Sequence, residues 1–595
     1  MARPGSVVPY GSHGLQHATV PVAVAAVPTG VTPPAVVSTV GTTVGTHGGP
    51  TLALGDAAAV SARVRWSATG GFLGLLCYAA SLGPSLLPRD AVTQGVVSGL
   101  AFVTGYGIGA LLGWGVRAIG RLPAWSVFTR RTVAVGFVLA LAGVVALTPG
   151  RMTPLDEQAA AVGTTSESVN PWLVLGVTVV VVVLLLALGR VLRGLARALA
   201  RPWARLVRDP AVVPATLGWL TLAVLVAGLL AGAYALMLGL FTEIDRSTAG
   251  QTPPTSPLRS GGPGSYVPWD TLGAEGRAFV SGGPTREQIA GFSGSAEAPE
   301  PIRVFAGLDS APDAASRAAL VVQELQRTGA FDRAAVVLIT TTGNGFVDPV
   351  AADALEYVAS GDVASAAIQY SVLPSWLSFL VDQGASGEAG TALFDAVSQA
   401  VSALPAERRP ALYVYGESLG AYGAQAPFTG LTPEQVASEV DGALFVGPPS
   451  ASALRAAWVA DADGGTAWQP VVGGGRTVVF AATAQAVPGD DPDWGPRRLL
   501  YLQNATDPVV WFDPELVGTA PGWLDQPRGP GVSEAMEWWP LVTVEQVAMD
   551  LPPAVSMPPG YGHSYGDSVP VGWVAVLQPD GWTPADTTRL VQLVG

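Results

Sequence analysis

The stretch Ala411–Ala426, ALYVYGESLGAYGAQA, decides how the rest of the chain is read. Its first five residues are apolar, β-branched or aromatic, as a buried strand requires. Gly416-Glu417-Ser418-Leu419-Gly420 then fits the pattern G-x-S-x-G, and small residues suited to a helix start follow. A strand, a tight turn and a helix in that order set a serine Oγ at the top of a sheet, and glycines make the turn sterically possible. Ser418 is therefore the candidate nucleophile. In a chain with 73 glycines the pattern can also arise by chance, and it recurs as Gly562-His563-Ser564-Tyr565-Gly566. That second match follows Pro558-Pro559-Gly560-Tyr561, with no strand before it and no histidine after it, so Ser564 reads as a chance match.

A serine hydroxyl needs a base. The four histidines are His13, His17, His47 and His563; the first three lie in a low-complexity tail, which leaves His563 as the candidate base. The acid that orients such a base is expected between nucleophile and base, just after a strand. Asp507 meets that condition, because Asn504-Ala505-Thr506-Asp507 follows the strand-like Leu499–Leu502; Asp513 is the competitor. Backbone N–H groups that stabilise a developing oxyanion are expected from Leu419 and from the glycine-rich Thr341–Phe346, with Gly343, Asn344 and Gly345 as donors. The same loop also reads as an ordinary strand-to-helix turn. Val372–Val381 (VLPSWLSFLV) reads either as an acyl-binding wall or lid, with Trp376 and Phe379 touching substrate, or as a core helix.

Outward from this centre, further strands are expected at Arg303–Gly307, Ala335–Ile339, Ala364–Tyr370, Ala443–Val446, Val478–Ala481 and Leu499–Leu502. Helices are expected at Ala314–Arg327 and Thr391–Val401. Strands alternating with helices call for a mostly parallel sheet covered on both faces. This places the catalytic domain at residues 266–595, after a Pro/Gly/Ser-rich linker at 243–265.

Residues 63–242 are of a different kind. Five apolar runs, Gly70–Leu87, Val96–Val116, Thr132–Thr148, Trp172–Gly189 and Val212–Phe241, are each near or above the ~20 residues a helix needs to cross a bilayer. Arginines crowd alternate connections: Arg117, Arg121, Arg130 and Arg131 in one, Arg190 to Arg208 in another. The positive-inside rule makes these cytoplasmic and sends everything after the fifth span to the outer side of the cell membrane. Residues 1–62, nearly free of charge and periodicity, read as a disordered tail. Charge follows the same division, with a net +9 before residue 243 and −23 after it. The acidic part is a poor partner for nucleic acid, and topology accounts for the basic part. A single cysteine, Cys77, permits no internal disulfide. No metal-binding cluster or phosphate-binding loop stands out, so no cofactor is expected; protein partners are open.

SLGPSLLPRDAVTQGVVSGLAFVTGYGIG (Ser81–Gly109) resembles the membrane domain of a family of actinobacterial α/β-hydrolase membrane proteins. YVPWDTLGAEGRAFV, RVFAGLDSAPDAASRA, ELQRTGAFDR, TTTGNGFVDP, QYSVLPSWLSFLVD, YVYGESLGAYG, YLQNATDPVVWFDPEL and GYGHSYGD resemble its catalytic domain. The resemblance covers nearly everything after residue 65. It implies an α/β-hydrolase fold and a serine hydrolase with Ser418 as nucleophile, Asp507 as acid and His563 as base. The expected activity is cleavage of an acyl ester, including a lipid or cell-envelope ester, at the bilayer surface. Transfer of the acyl group to a second alcohol would use the same three residues. A transporter, or a binding protein with a non-catalytic outer domain, is the competing class; the absence of Asp, Glu, His and Lys from the five apolar runs speaks against ion transport.

Overall fold

In a computed structural model the described residues are 67–595, without 121–125, 165–167, 208–211, 249 and 490. The expectation for the tail lies outside them.

The chain first forms α1 (Ala68–Ser81), α2 (Ala91–Gly120), α3 (Val127–Leu147), α4 (Thr153–Ala161), α5 (Pro171–Leu206) and α6 (Val212–Arg246). Four of these, α2, α3, α5 and α6, are long and apolar enough to cross a membrane. The first expected span differs: α1 has 14 residues, about 21 Å of helix against a hydrocarbon layer of about 30 Å. The helix ends before Pro84 and Pro88, and Leu86 and Leu87 are fully buried. That end of the apolar run is therefore covered by protein. Helix α1 packs along the first two thirds of α2: Thr69 Oγ1 donates to the Gly109 carbonyl at 2.7 Å, and Ser81 bonds Ser98 at 2.9 Å. Close approach along the way needs glycine, since a Cβ at Gly109 would meet the Thr69 carbonyl oxygen at 2.6 Å.

The second half is built on β1 (Ile302–Ala306), β2 (Ala335–Thr340), β3 (Val363–Ile368), β4 (Ala411–Glu417), β5 (Gly442–Val446), β6 (Gly464–Thr466), β7 (Gln469–Val471), β8 (Val478–Ala481) and β9 (Arg498–Leu502). Seven strands form one parallel sheet in the order β1-β3-β2-β4-β5-β9-β8, and β6 and β7 form a separate hairpin. Strands β1, β2, β3, β5 and β9 are buried along their whole length, which explains why most of their residues are apolar on both faces. Helices α7 (Gly273–Ser281), α8 (Arg286–Ser293), α9 (Ala314–Thr328), α10 (Pro349–Val358), α11 (Ser375–Val381), α12 (Gln383–Ser402) and α13 (Leu419–Gln425) follow in chain order. Two apolar cores flank the sheet, one under α10 and Ser568–Leu577, the other under α9, α12 and α13. This is the expected fold class.

Helix α12 begins eight residues earlier than expected. Its QGASGEAG start resembles a loop, but the small residues serve a close helix contact: a Cβ at Gly390 would lie 2.1 Å from the Gly423 carbonyl oxygen of α13. The segment between the halves is docked too. Ser260 Oγ accepts from the Phe305 amide and donates to Glu324, and Arg259 bridges Arg303 beside β1.

Candidate active site

Ser418 sits between β4 and α13 with φ 55° and ψ −126°. A non-glycine residue adopts such a backbone only where its surroundings enforce it, and strain of this kind gathers at functional sites. Enforcement is visible on both sides. A Cβ at Gly416 would stand 2.4 Å from the Gly420 carbonyl oxygen, and one at Gly420 would stand 2.3 Å from that of Thr340. The Ser418 amide donates to the Val446 carbonyl at 2.8 Å, tying the turn to the end of β5.

The imidazole of His563 packs on the next residue, Gly447, where a Cβ would lie 2.6 Å from its Cε1. His563 Nδ1 and Asp507 Oδ2 are 2.7 Å apart, and both side chains are buried. Asp507 follows β9, caps Pro508–Trp511, and accepts from the Val509 amide at 2.8 Å through its other oxygen. Ser418, Asp507 and His563 thus lie at the carboxyl ends of β4, β9 and β5, His563 through its contact with Gly447. His563 Nε2 is buried and has no hydrogen-bond partner among the described residues. Burial works against a charged ring, but Asp507 and then Glu417 outweigh it and raise the His563 pKa.

Two loops are stitched together to hold this pair. Asn504 Nδ2 donates to the carbonyls of Gly562 and Ser564, and the Gly562 amide donates to Thr506 Oγ1 at 2.8 Å. Tyr565, which the sequence reading did not single out, donates its hydroxyl to Asp507 Oδ2 at 2.6 Å. Its only sequence signal is its place two residues after the histidine. Asp513 is exposed and caps a short 3-10 turn through the Glu515 amide; it does not meet His563.

The Thr341–Phe346 turn lies beside the nucleophile, with Gly420 against Thr340 and Thr341. Its amides are partly committed. Gly343 N–H donates to the Tyr370 hydroxyl at 2.7 Å, and Gly345 N–H to the Thr342 carbonyl at 3.1 Å. An oxyanion role for these two would require breaking those bonds. Tyr370 also meets Ser386, whose hydroxyl donates to the Leu419 carbonyl at 2.7 Å, so the turn and the nucleophile helix are braced together. Beneath them Glu417 and Asp348 form a carboxyl pair. Burial, then Asp348, pushes Glu417 up to about 8; burial pushes Asp348 up to about 6. Of the apolar stretch, Leu377 is buried, Phe379 packs against the core, and Trp376 is 64% exposed. Among the described residues no group of three His, Cys, Asp or Glu side chains could hold a metal ion.

The site faces the helical half. Leu86 enters the cluster of Trp468, Ala505, Val510 and Trp511 around the acid loop. Arg89 and Asp550 form a fully buried ion pair at 2.9 Å. Tyr561, two residues before the base, donates to the Ala161 carbonyl at the end of α4. On the other flank, Gln369 Nε2 donates to Asp245 at the end of α6 and to the Asn344 carbonyl of the turn, each at 3.0 Å.

A parallel sheet with a strained serine after its central strand, facing a histidine–carboxylate pair, defines an α/β-hydrolase fold. The chain belongs to the alpha/beta-hydrolase family: that family's model matches residues 302–590, and the model of the family's N-terminus matches residues 82–284. No curated protein and no solved structure matches it.

Proposed function

We propose that the protein is a membrane-anchored serine ester hydrolase with Ser418 as nucleophile, His563 as base and Asp507 as acid. The observation that carries this reading is the enforced backbone of Ser418, φ 55° and ψ −126°, beside the bonded Asp507–His563 pair. In the first half-reaction Ser418 Oγ attacks the acyl carbonyl and its proton passes to His563 Nε2. The imidazolium, steadied by Asp507, then protonates the departing alcohol. Water, activated by the same nitrogen, splits the acyl-enzyme and restores the hydroxyl. The Leu419 amide, with Asn344 from the braced turn, would meet the oxyanion. The net −23 charge of residues 243–595 suits a neutral or lipophilic ester better than a polyanion.

The test is labelling of the intact membrane protein with a fluorophosphonate, which phosphonylates an activated serine with loss of fluoride. Labelling lost in both Ser418→Ala and His563→Ala supports the reading. Undiminished labelling of Ser418→Ala overturns it.

We also place the catalytic half outside the cell. The arginine-rich ends of α2, α3 and α5 lie at the opposite end of the bundle from the Arg89–Asp550 and Asp245–Gln369 contacts, and arginines favour the cytoplasmic side. Alkaline phosphatase fused after Arg246 should be active. An inactive fusion, with an active cytoplasmic reporter at that point, reverses the orientation.

A further inference from the structure

Helix α11 is divided along its length. Leu377 and Ser378 are buried, and Phe379 packs on the core below α12. Trp376, Leu380 and Val381 are 64%, 64% and 48% exposed. Trp376 and Leu380, four residues apart, share one face; Val381 adjoins Leu380 at the helix end, and Ser371–Val381 (SVLPSWLSFLV) contains no charged residue to interrupt the exposed apolar surface. Exposed apolar groups scattered singly are ordinary, but a tryptophan and two aliphatics on one short helix make a patch that calls for an occupant.

Its height in the molecule names that occupant. Helix α6 is apolar, 35 residues long and exposed along most of its length, with Leu240 and Ile244 59% and 58% exposed near its end. It stops at Arg246. At that end Gln369 Nε2 reaches Asp245, and the same nitrogen reaches the Ser371 carbonyl at 3.0 Å. Helix α11 starts at Ser375, four residues on, and the Ser375 amide nitrogen would lie 2.4 Å from a Cβ on Gly343 of the braced turn. The patch is thus tied to the point where the last long apolar helix leaves the hydrocarbon layer, on the side of the sheet that carries Ser418. An aromatic with aliphatic neighbours at that level is what the bilayer interface favours.

We infer that α11 is a membrane-docking element: its Trp376–Leu380–Val381 surface seats in the outer edge of the leaflet from which α6 emerges. The occupant is lipid acyl chain, not a second protein. The docking rests on the placement of α11 alone. Its consequence for substrate, that the ester is carried by a lipid resident in that leaflet, also rests on the hydrolase reading above.

The experiment uses the full chain in phosphatidylcholine–phosphatidylglycerol nanodiscs. A nitroxide is attached at Leu380→Cys and, in a separate protein, at Ala406→Cys, an exposed position before β4, at the end of that strand away from Ser418. Cys77 is buried and stays unlabelled. Accessibility to oxygen against a water-soluble nickel complex reports depth. The Leu380 site should favour oxygen by about tenfold over the Ala406 site. Equal, water-like values at both sites overturn the inference, as does spin–spin broadening at Leu380 that marks a second copy on the patch. A kinetic arm follows with Leu380→Ser/Val381→Ser. Its KM for a long-chain ester presented in vesicles should rise about tenfold with kcat unchanged, while hydrolysis of a soluble short-chain ester stays within twofold. Equal losses on both substrates overturn the docking role. Failure of the hydrolase reading looks different: no ester turns over, while the Leu380 label remains immersed.

Discussion

Two pentapeptides in this chain share the pattern G-x-S-x-G and become different things. In Gly416–Gly420 the serine is forced to positive φ between a strand and a helix, and the glycines serve close backbone approach. In Gly562–Gly566 it is the glycines that take positive φ, at 55° and 40°. Ser564 there closes a small loop, its amide on the Tyr561 carbonyl and its carbonyl under the Gly560 amide, and that carbonyl also accepts from Asn504 Nδ2. In the second copy it is the residues on either side of the serine, His563 and Tyr565, that converge on Asp507. A motif of five residues thus carries no chemistry until the strand before it, or a partner loop such as Asn504–Asp507, gives it a geometry.

Substitutions in the two copies break or sharpen that contrast. Ser418→Ala and His563→Ala should each lower kcat by about 10⁴-fold or more, by similar factors, because nucleophile and base act as a unit. Asp507→Asn should cost about 10²–10⁴-fold, whereas Asp513→Asn, on an exposed cap, should stay within about threefold. A larger loss at Asp513 than at Asp507 would reassign the acid. Tyr565→Phe removes one of the donors on Asp507 Oδ2 without removing the acid. A charge-assisted hydrogen bond contributes about 1.5–3 kcal/mol, so kcat should drop by about ten- to a hundredfold, with KM for a soluble ester unchanged.

The x position beside the first serine has its own signature. Glu417 is raised from 4.5 to about 8 in the folded protein. The native state therefore holds a proton that the unfolded chain has released between those two values, and stability falls as pH rises through that window. Glu417→Gln removes this slope. Melting curves at pH 5 and pH 9 should show a smaller drop for the variant, by about 1 kcal/mol or more. The smallest effect is expected at Ser564→Ala, within about threefold in kcat. A loss there as large as at Ser418 would dissolve the distinction between the two copies.

Much of the catalytic half was legible because its signals are local. The seven sheet strands are short, mostly apolar stretches, and the three candidate catalytic residues follow from a strand-bound serine, one eligible histidine and an aspartate just past a strand. What escaped is what depends on neighbours distant in sequence. The start of α12 looked like a loop because its glycines answer to α13. Helix α1 looked like a longer span because Leu82–Leu87 are as apolar as lipid-facing residues, yet they are covered by protein. Tyr565 is one of 13 tyrosines, and only the fold brings it to Asp507.

The Arg89–Asp550 pair bears on whether the enzyme could ever be released. Both side chains are sealed from water, one on the segment between α1 and α2 and the other at the end of Val542–Asp550. Beside them Gln546 donates to the carbonyls of Ser81 and Gly83, and Thr104 of α2 donates to Glu545. Clipping the chain after Arg246 would free the sheet covalently but strand Asp550 without its cation and empty the socket that Leu86 fills. Losing one partner of a buried pair costs about 3–5 kcal/mol, a large part of the 5–15 kcal/mol that keeps a typical domain folded. Separation of the two halves after such a cut is thus strongly disfavoured. Wherever its substrate lies, the enzyme must meet it while still rooted among the helices that complete its core.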